Sequence, residues 1–182
     1  MMKKIALGIA LVVAIAAVGI ALQPSAFVVE RTVSIDAPAA RIYPRIASVR
    51  EMDEWSPWVK MDPQMQTVYD GPDSGVGSRS SWEGPQMGKG RLTVTAVDPT
   101  AAVEMKLEML TPMEATNRVL FRLRPGNAGT DVTWRMEGTN GFVGKAMSLV
   151  ANMDQMVGAP FEQGLAALKN VVESDAKQRA AE

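Results

Sequence analysis

Apolar residues recur at Phe142, Ala146, Leu149, Val150, Met153, Met156, Val157, Phe161, Leu165, Leu168 and Val171. Steps of three and four of this kind lay one apolar stripe along a helix reaching from Phe142 to Val172. Such a stripe must be buried, and the chain before it supplies the partner. From about Met65 to Thr139 the sequence reads as strand after strand. A single long helix that follows an antiparallel sheet packs on the sheet's inner face. Sheet and helix then enclose either a solid core or a cavity. Gly158 and Pro160 interrupt the stripe. Proline removes one backbone donor and crowds the preceding turn, which predicts a kink or break between Val157 and Pro160.

The strands show their faces. Val103, Met105, Leu107 and Met109 alternate with Glu104, Lys106 and Glu108. Val119, Phe121 and Leu123 oppose Arg118, Arg122 and Arg124, and Val132, Trp134 and Met136 oppose Asp131, Thr133, Arg135 and Glu137. Each segment has one dry side and one wet side. Further strands are expected at Phe27–Ile35, Val68–Tyr69, Gly77–Glu83 and Gly90–Val97, separated by Gly/Pro turns. Asp36 is placed to cap a short helix over Ala39–Val49, with Pro38 in its first turn and Pro44 interrupting it. Met52–Trp58 reads as compact and turn-rich, and residues 174–182 are expected to fray. The fold class is therefore α+β: a curved antiparallel sheet of about six or seven strands on a long C-terminal helix, with two short helices after the first strand.

Residues 1–4 carry Lys3 and Lys4, and Ile5 to Leu22 then carry no charge. Eighteen apolar residues span ~27 Å as a helix, close to the ~30 Å hydrocarbon core of a bilayer. The run reads as a single-pass transmembrane anchor over 5–22, joined to a domain over 27–173. The lysines before the run place the N-terminus in the cytoplasm and the domain on the outer, periplasmic side. The alternative is a cleaved signal peptide, which would leave the domain secreted.

Composition excludes much chemistry. There is no histidine and no cysteine, so triads built on histidine, thiol chemistry, disulfides and the usual zinc ligand sets are closed to this chain. No D-x-D-x-D-G loop offers an oxygen-ligand metal site, and no metal or cofactor is expected. Nineteen basic residues stand against 20 acidic ones without a basic run, which argues against nucleic acid as a partner. The glycine strings Gly71–Gly77 and Gly84–Gly90 lack phosphate-loop spacing and read as hairpin turns.

Several local strings fall in a familiar order. They are Trp55-Ser56-Pro57-Trp58 before Asp62-Pro63; Gly75-Val76-Gly77 leading to Trp82-Glu83-Gly84; Gly88-Lys89-Gly90; and Gly129-Thr130 leading to Thr133-Trp134 and Gly138. In the helix they are Met153-Asp154-Gln155-Met156 and Phe161-Glu162-Gln163-Gly164-Leu165, with Leu168-Lys169. Together they resemble the START-like (SRPBCC) helix-grip superfamily, nearest its bacterial polyketide cyclase/dehydrase-like branch, over roughly residues 27–173. The resemblance implies an apolar cavity between sheet and helix, in members that bind lipids, sterols or polyketides and in a minority that catalyse.

The expected lining combines Trp55, Trp58, Trp82, Met105, Met109, Phe121, Trp134, Met136, Met153 and Met156. Trp55 and Trp58 read either as a wall at the cavity mouth or as plugs that pin the small helices. The methionines suit a surface that must accept varied apolar shapes. Arg79 and Arg122 are the polar residues that such a pocket would hold. The leading expectation is a binder of a small hydrophobic or lipid-like ligand. A cyclase/dehydratase-like enzyme is the alternative and needs a buried ionisable group. A structural or partner-binding module with a solid core is the third reading.

Overall fold

The computed structural model describes residues 8, 11, 14–15, 17–147 and 153–180. Seven strands occur: β1 (Ala26–Ile35), β2 (Gln66–Asp70), β3 (Arg79–Gly84), β4 (Gly88–Asp98), β5 (Ala102–Thr111), β6 (Ala115–Gly126) and β7 (Gly129–Thr139). Helices α1 (Ala39–Ala47), α2 (Val49–Trp55) and α3 (Pro57–Met61) connect β1 to β2, and α4 (Phe142–Met147) and α5 (Met153–Ala180) follow β7. The strands form one antiparallel sheet in the order β1-β7-β6-β5-β4-β3-β2. Strands β2 to β7 are thus a meander, and β1 closes onto its last member. Register irregularities at Lys89/Gly90 and Val94/Ala96 in β4 are of the kind that bends a strand and curves a sheet.

Alternation sorts the side chains as expected. The inward rows run across the sheet as Val94–Met105–Val119–Met136–Val29 and Val103–Phe121–Trp134. All of these are buried. Phe161, Leu165, Leu168 and Val172 of α5 are buried in the same core, with Ile42 and Ile46 of α1 and Trp55 of α2. Long-helix contacts concentrate on β1, so α5 lies along that edge of the sheet.

Four local expectations are corrected. Helix α5 continues through Pro160 without a break. Packing of Phe161, Leu165 and Leu168 against the sheet outweighs the donor lost at proline. The helix also extends to Ala180 rather than fraying from 174, and Asp175 is held by Arg45 at 2.7 Å. Met52–Trp58 is helical: Ser48 accepts from the Glu51 N–H to start α2, and Pro57 starts α3 at a first-turn position where its missing N–H costs nothing. Asp36 does not cap α1. Pro38 stands at that position, and the Asp36 N–H donates to Glu173. Among the described residues no helix is long and apolar enough to cross a membrane. The run Ile5–Leu22 lies in part outside the described residues, as do Leu149 and Val150.

Candidate functional site

The inner face of the sheet has a filled half, where α5 packs, and a half-covered one. In the filled half, Trp134 stacks on Phe161 with centroids 4.0 Å apart and planes 11° from parallel. Trp55 meets Trp134 edge-on at 5.6 Å and Phe121 at 6.0 Å. The Trp55 Nε1–H donates to the Arg45 carbonyl at 2.9 Å. Gly164 admits this plug, because a Cβ there would lie 2.8 Å from Trp134 and 3.0 Å from Pro57. The Trp134 Nε1–H is buried without a hydrogen-bond partner. An unpaired buried donor is costly, so this indole offers a polar handle inside an apolar plug.

The half-open part is a ledge on the inner face toward the β5–β6 turn. Its rows are Trp82–Gly90–Met109 and Leu92–Leu107–Asn117–Gly138–Phe27. Phe27, Trp82, Leu92, Leu107 and Met109 are half-buried and therefore have faces left uncovered. Backbone contour shapes the ledge. Trp82 lies over Gly90, and Asn117 and Phe27 lie over Gly138, so a Cβ at either glycine would collide with them. Asn117 is the uncharged polar group among these apolar faces.

An ionic clasp fixes α5 to β1 beside the plug, where Arg31 pairs in register with Trp134. Arg31 donates to both oxygens of Asp154, at 2.8 and 2.9 Å, and to Glu162 at 2.6 Å. Asp154, Gly158 and Glu162 are four residues apart and share one helix face. The guanidinium rests on Gly158, where any Cβ would overlap it. Bonds to Asp154 and then Glu162 raise the Arg31 pKa, and Arg31 in turn holds Asp154 below the usual carboxylate range.

Ionisable groups gather elsewhere. Asp53 of α2 accepts from the Tyr69 hydroxyl at 2.6 Å, and the Arg50 guanidinium sits 4.2 Å from the Tyr69 ring centroid. Burial pushes the Asp53 carboxyl up, against the pull of the Tyr69 hydrogen bond. Tyr69 is pushed up to about 12, by burial first and by its bond to Asp53 second. Tyr69 and Arg50 border a notch of about 60 Å³. Asp62 is buried; one carboxylate oxygen accepts from the N–H groups of Gln86 and Met87 at 2.8 and 2.9 Å, tying α3 to the β3–β4 turn.

The outer face of the sheet is ionic. Glu30, Arg135, Glu137, Arg118 and Glu104 form a continuous ladder. An open groove of about 630 Å³ runs along this face past Val28, Glu104, Lys106, Arg118 and Glu137. Hydrogen bonds from Arg118 and Arg135 hold Glu104 and Glu137, respectively, below their usual range.

The expected lining residues are therefore divided. Trp55, Phe121 and Trp134 build the plug, and Met105 and Met136 lie buried in the inward row beside it. Trp82 and Met109 line the ledge, and Trp58 is half-buried against the core. Met156 is 51% exposed and faces away from the interior, which corrects the expectation that it lies beneath the helix. The Met153 side chain lies outside the described residues. Arg79 and Arg122 both fall on the outer phase. Arg79 pairs with Asp70 there, and Arg122 is exposed between buried Phe121 and Leu123. Among the described residues no cluster of acidic side chains is arranged to hold a metal ion. Sequence reasoning overlooked Leu92, Asn117, Phe27 and Arg31. Asn117 and Leu107 share the inward phase of Val119 and Met105, so alternation carried that signal. No local pattern marked Arg31.

A model of the family described as polyketide cyclase/dehydrase and lipid transport matches residues 26–173. None of the curated proteins matches the chain in sequence. A protein of unknown function from Staphylococcus aureus is similar in structure with a TM-score of 0.59 and 13% identity, over 86% of this chain and 99% of that one. The Aha1 dimer of Colwellia psychrerythraea is similar at 0.52 and 19% identity, over 81% and 96% of the two chains. A protein of the dynemicin biosynthetic locus is similar at 0.56 and 15%, over 81% of this chain and 48% of that one. At these identities the likeness concerns the fold alone.

Proposed function

Because this chain belongs to the polyketide cyclase/dehydrase and lipid transport family, we propose that it binds a small apolar or lipid-like ligand on the ledge of the sheet's inner face. The observation that carries the reading is two adjacent rows of half-buried apolar side chains facing inward, Trp82 and Met109 in one and Leu92, Leu107 and Phe27 in the other. Inward apolar faces left partly uncovered are what a ligand of matching chemistry would bury, at roughly 25 cal/mol per Å². Asn117 would orient a polar end of that ligand, and the unpaired Trp134 Nε1–H would meet an acceptor reaching deeper. The charge-free run Ile5–Leu22 would tether the domain to a membrane, with the N-terminus cytoplasmic and the domain outside. A cyclase-like reaction would draw on Asp53 and Tyr69. Their neighbouring notch of about 60 Å³ has room for water but not for a polyketide, so binding is the reading the geometry favours.

The test is ligand analysis of the full chain purified in mild detergent from its native host, followed by titration with a fluorescent fatty acid. Co-purifying apolar compounds and saturable uptake of the probe are expected, with energy transfer from tryptophan. Filling the ledge by Leu107→Trp should weaken probe binding at least about tenfold, or about 1.4 kcal/mol. Uptake that does not saturate, or that is indifferent to Leu107→Trp and Met109→Trp alike, would overturn the proposal.

A further inference from the structure

The two ends of the sheet differ in chemistry. The pairings Ala26↔Thr139 and Met109↔Ala115 place the start of β1, the end of β7 and the β5–β6 turn at one end. Lys89↔Thr111 brings the β3–β4 turn to the same end. This rim exposes large apolar side chains. Leu110 near the end of β5 and Met113 in the β5–β6 turn are each 46% exposed, and Phe142 and Val143 are 55% and 56% exposed on α4. The opposite end carries the turns around residues 71–77, 98–101 and 126–129, whose exposed residues include Asp73, Ser74, Asp98 and Asn127. Among the described residues of that end, Val76 is the exposed large apolar side chain.

The apolar rim is also where the N-terminal run enters the domain. Gln23, Pro24 and Ser25 are the three residues between Leu22 and β1, and fully extended they reach only ~11 Å. The connection is tied down further. The Asn140 N–H donates to the Ser25 carbonyl at 2.7 Å, and the Lys145 ammonium of α4 donates to the Ala21 carbonyl at 3.0 Å. A domain leashed this closely cannot keep its rim far from whatever holds the run.

We propose that this rim docks on the lipid bilayer, with Leu110, Met113, Phe142 and Val143 entering the interfacial layer. The inference rests on the reading of Ile5–Leu22 as a membrane anchor. Amphipathic elements at such surfaces bury apolar side chains ~5–10 Å deep, which a turn and a short helix can reach. Docking in this pose has a functional consequence. Met109 and Trp82 lie in the ledge row nearest the β5–β6 turn, so the ledge opens toward the bilayer. An apolar ligand then passes between lipid and protein without crossing water.

The chain has no cysteine, so one introduced thiol reports alone. Four single variants of the full chain carry a polarity-sensitive fluorophore: Val18→Cys, Met113→Cys, Val143→Cys and Val76→Cys. Each is incorporated into phosphatidylcholine vesicles containing lipids with spin-labelled acyl chains. Quenching at positions 18, 113 and 143 several-fold above that at 76 is the expected result. Quenching at 18 with 113 and 143 no different from 76 overturns the docked rim and leaves the anchor standing. Quenching at 113 and 143 without 18 supports the docked rim and overturns the anchor. Vesicles that quench none of the four overturn both.

Discussion

Tyr69 shows what a single residue's surroundings can do that its sequence neighbours cannot announce. The sequence places it on a short strand. The fold brings it against Asp53 and beneath Arg50, where its hydroxyl donates at 2.6 Å. Its pKa rises from 10.0 in a free chain to about 12 in the folded one. The folded state therefore holds this proton more tightly than the unfolded state does. The stability so contributed is complete below about pH 10 and is lost as pH climbs toward 12. Urea midpoints measured from pH 9 to 12 should fall more steeply for the native chain than for Tyr69→Phe. Equal slopes would show that the Asp53–Tyr69 bond carries no such linkage. Gly158 makes the same point without a charge. Read in sequence, it weakens a helix; in the fold it is the site on which the Arg31 guanidinium rests.

At the scale of elements, periodicity identified the long helix but not its continuity. Proline at 160 predicted an interruption from local rules, and tertiary burial of Phe161, Leu165 and Leu168 overrode it. Helices α2 and α3 were hidden for the converse reason. Pro57 looks like a terminator, yet it starts a new helix one residue after the Ser56 junction. The first part of α5 depends on the Arg31 clasp, whereas its later turns depend on the core. Arg31→Met should therefore speed amide exchange in residues 154–162 while residues 165–172 stay protected. Uniform protection in the variant would show that apolar packing alone holds the whole helix to β1.

For the whole molecule, sheet and helix share one core through Trp134, which contacts Phe121 on one side and stacks on Phe161 on the other. Phe121→Ala and Phe161→Ala should each cost about 3–5 kcal/mol in equilibrium unfolding. Because both rings lean on one indole, the double variant should depart from additivity by about 0.5–3 kcal/mol. Strict additivity would mean that sheet and helix are stabilised independently. Much of this architecture was legible in the chain. The two-residue alternation of β5, β6 and β7 assigned inward faces correctly, and the stripe of Phe161, Leu165 and Leu168 supplied the covering helix. Those readings succeed because local periodicity alone decides which side of an element is apolar. Local periodicity does not say how much of an inward face a partner covers. Trp55 and Trp82 were both expected to line the cavity, yet one is sealed in the plug and the other stands at the ledge. Arg79 looked available to a pocket, yet pairing with β2 and β4 turned it outward, and Arg122 stays on the wet side of β6 that alternation had already given it. The sequence by itself determined the strands, the covering helix, their apolar faces and the absence of histidine and thiol chemistry. Only the tertiary structure decided where the helix lies along β1, which inward residues remain uncovered and which rim joins the N-terminal run, because each of these depends on contacts between residues distant in the chain.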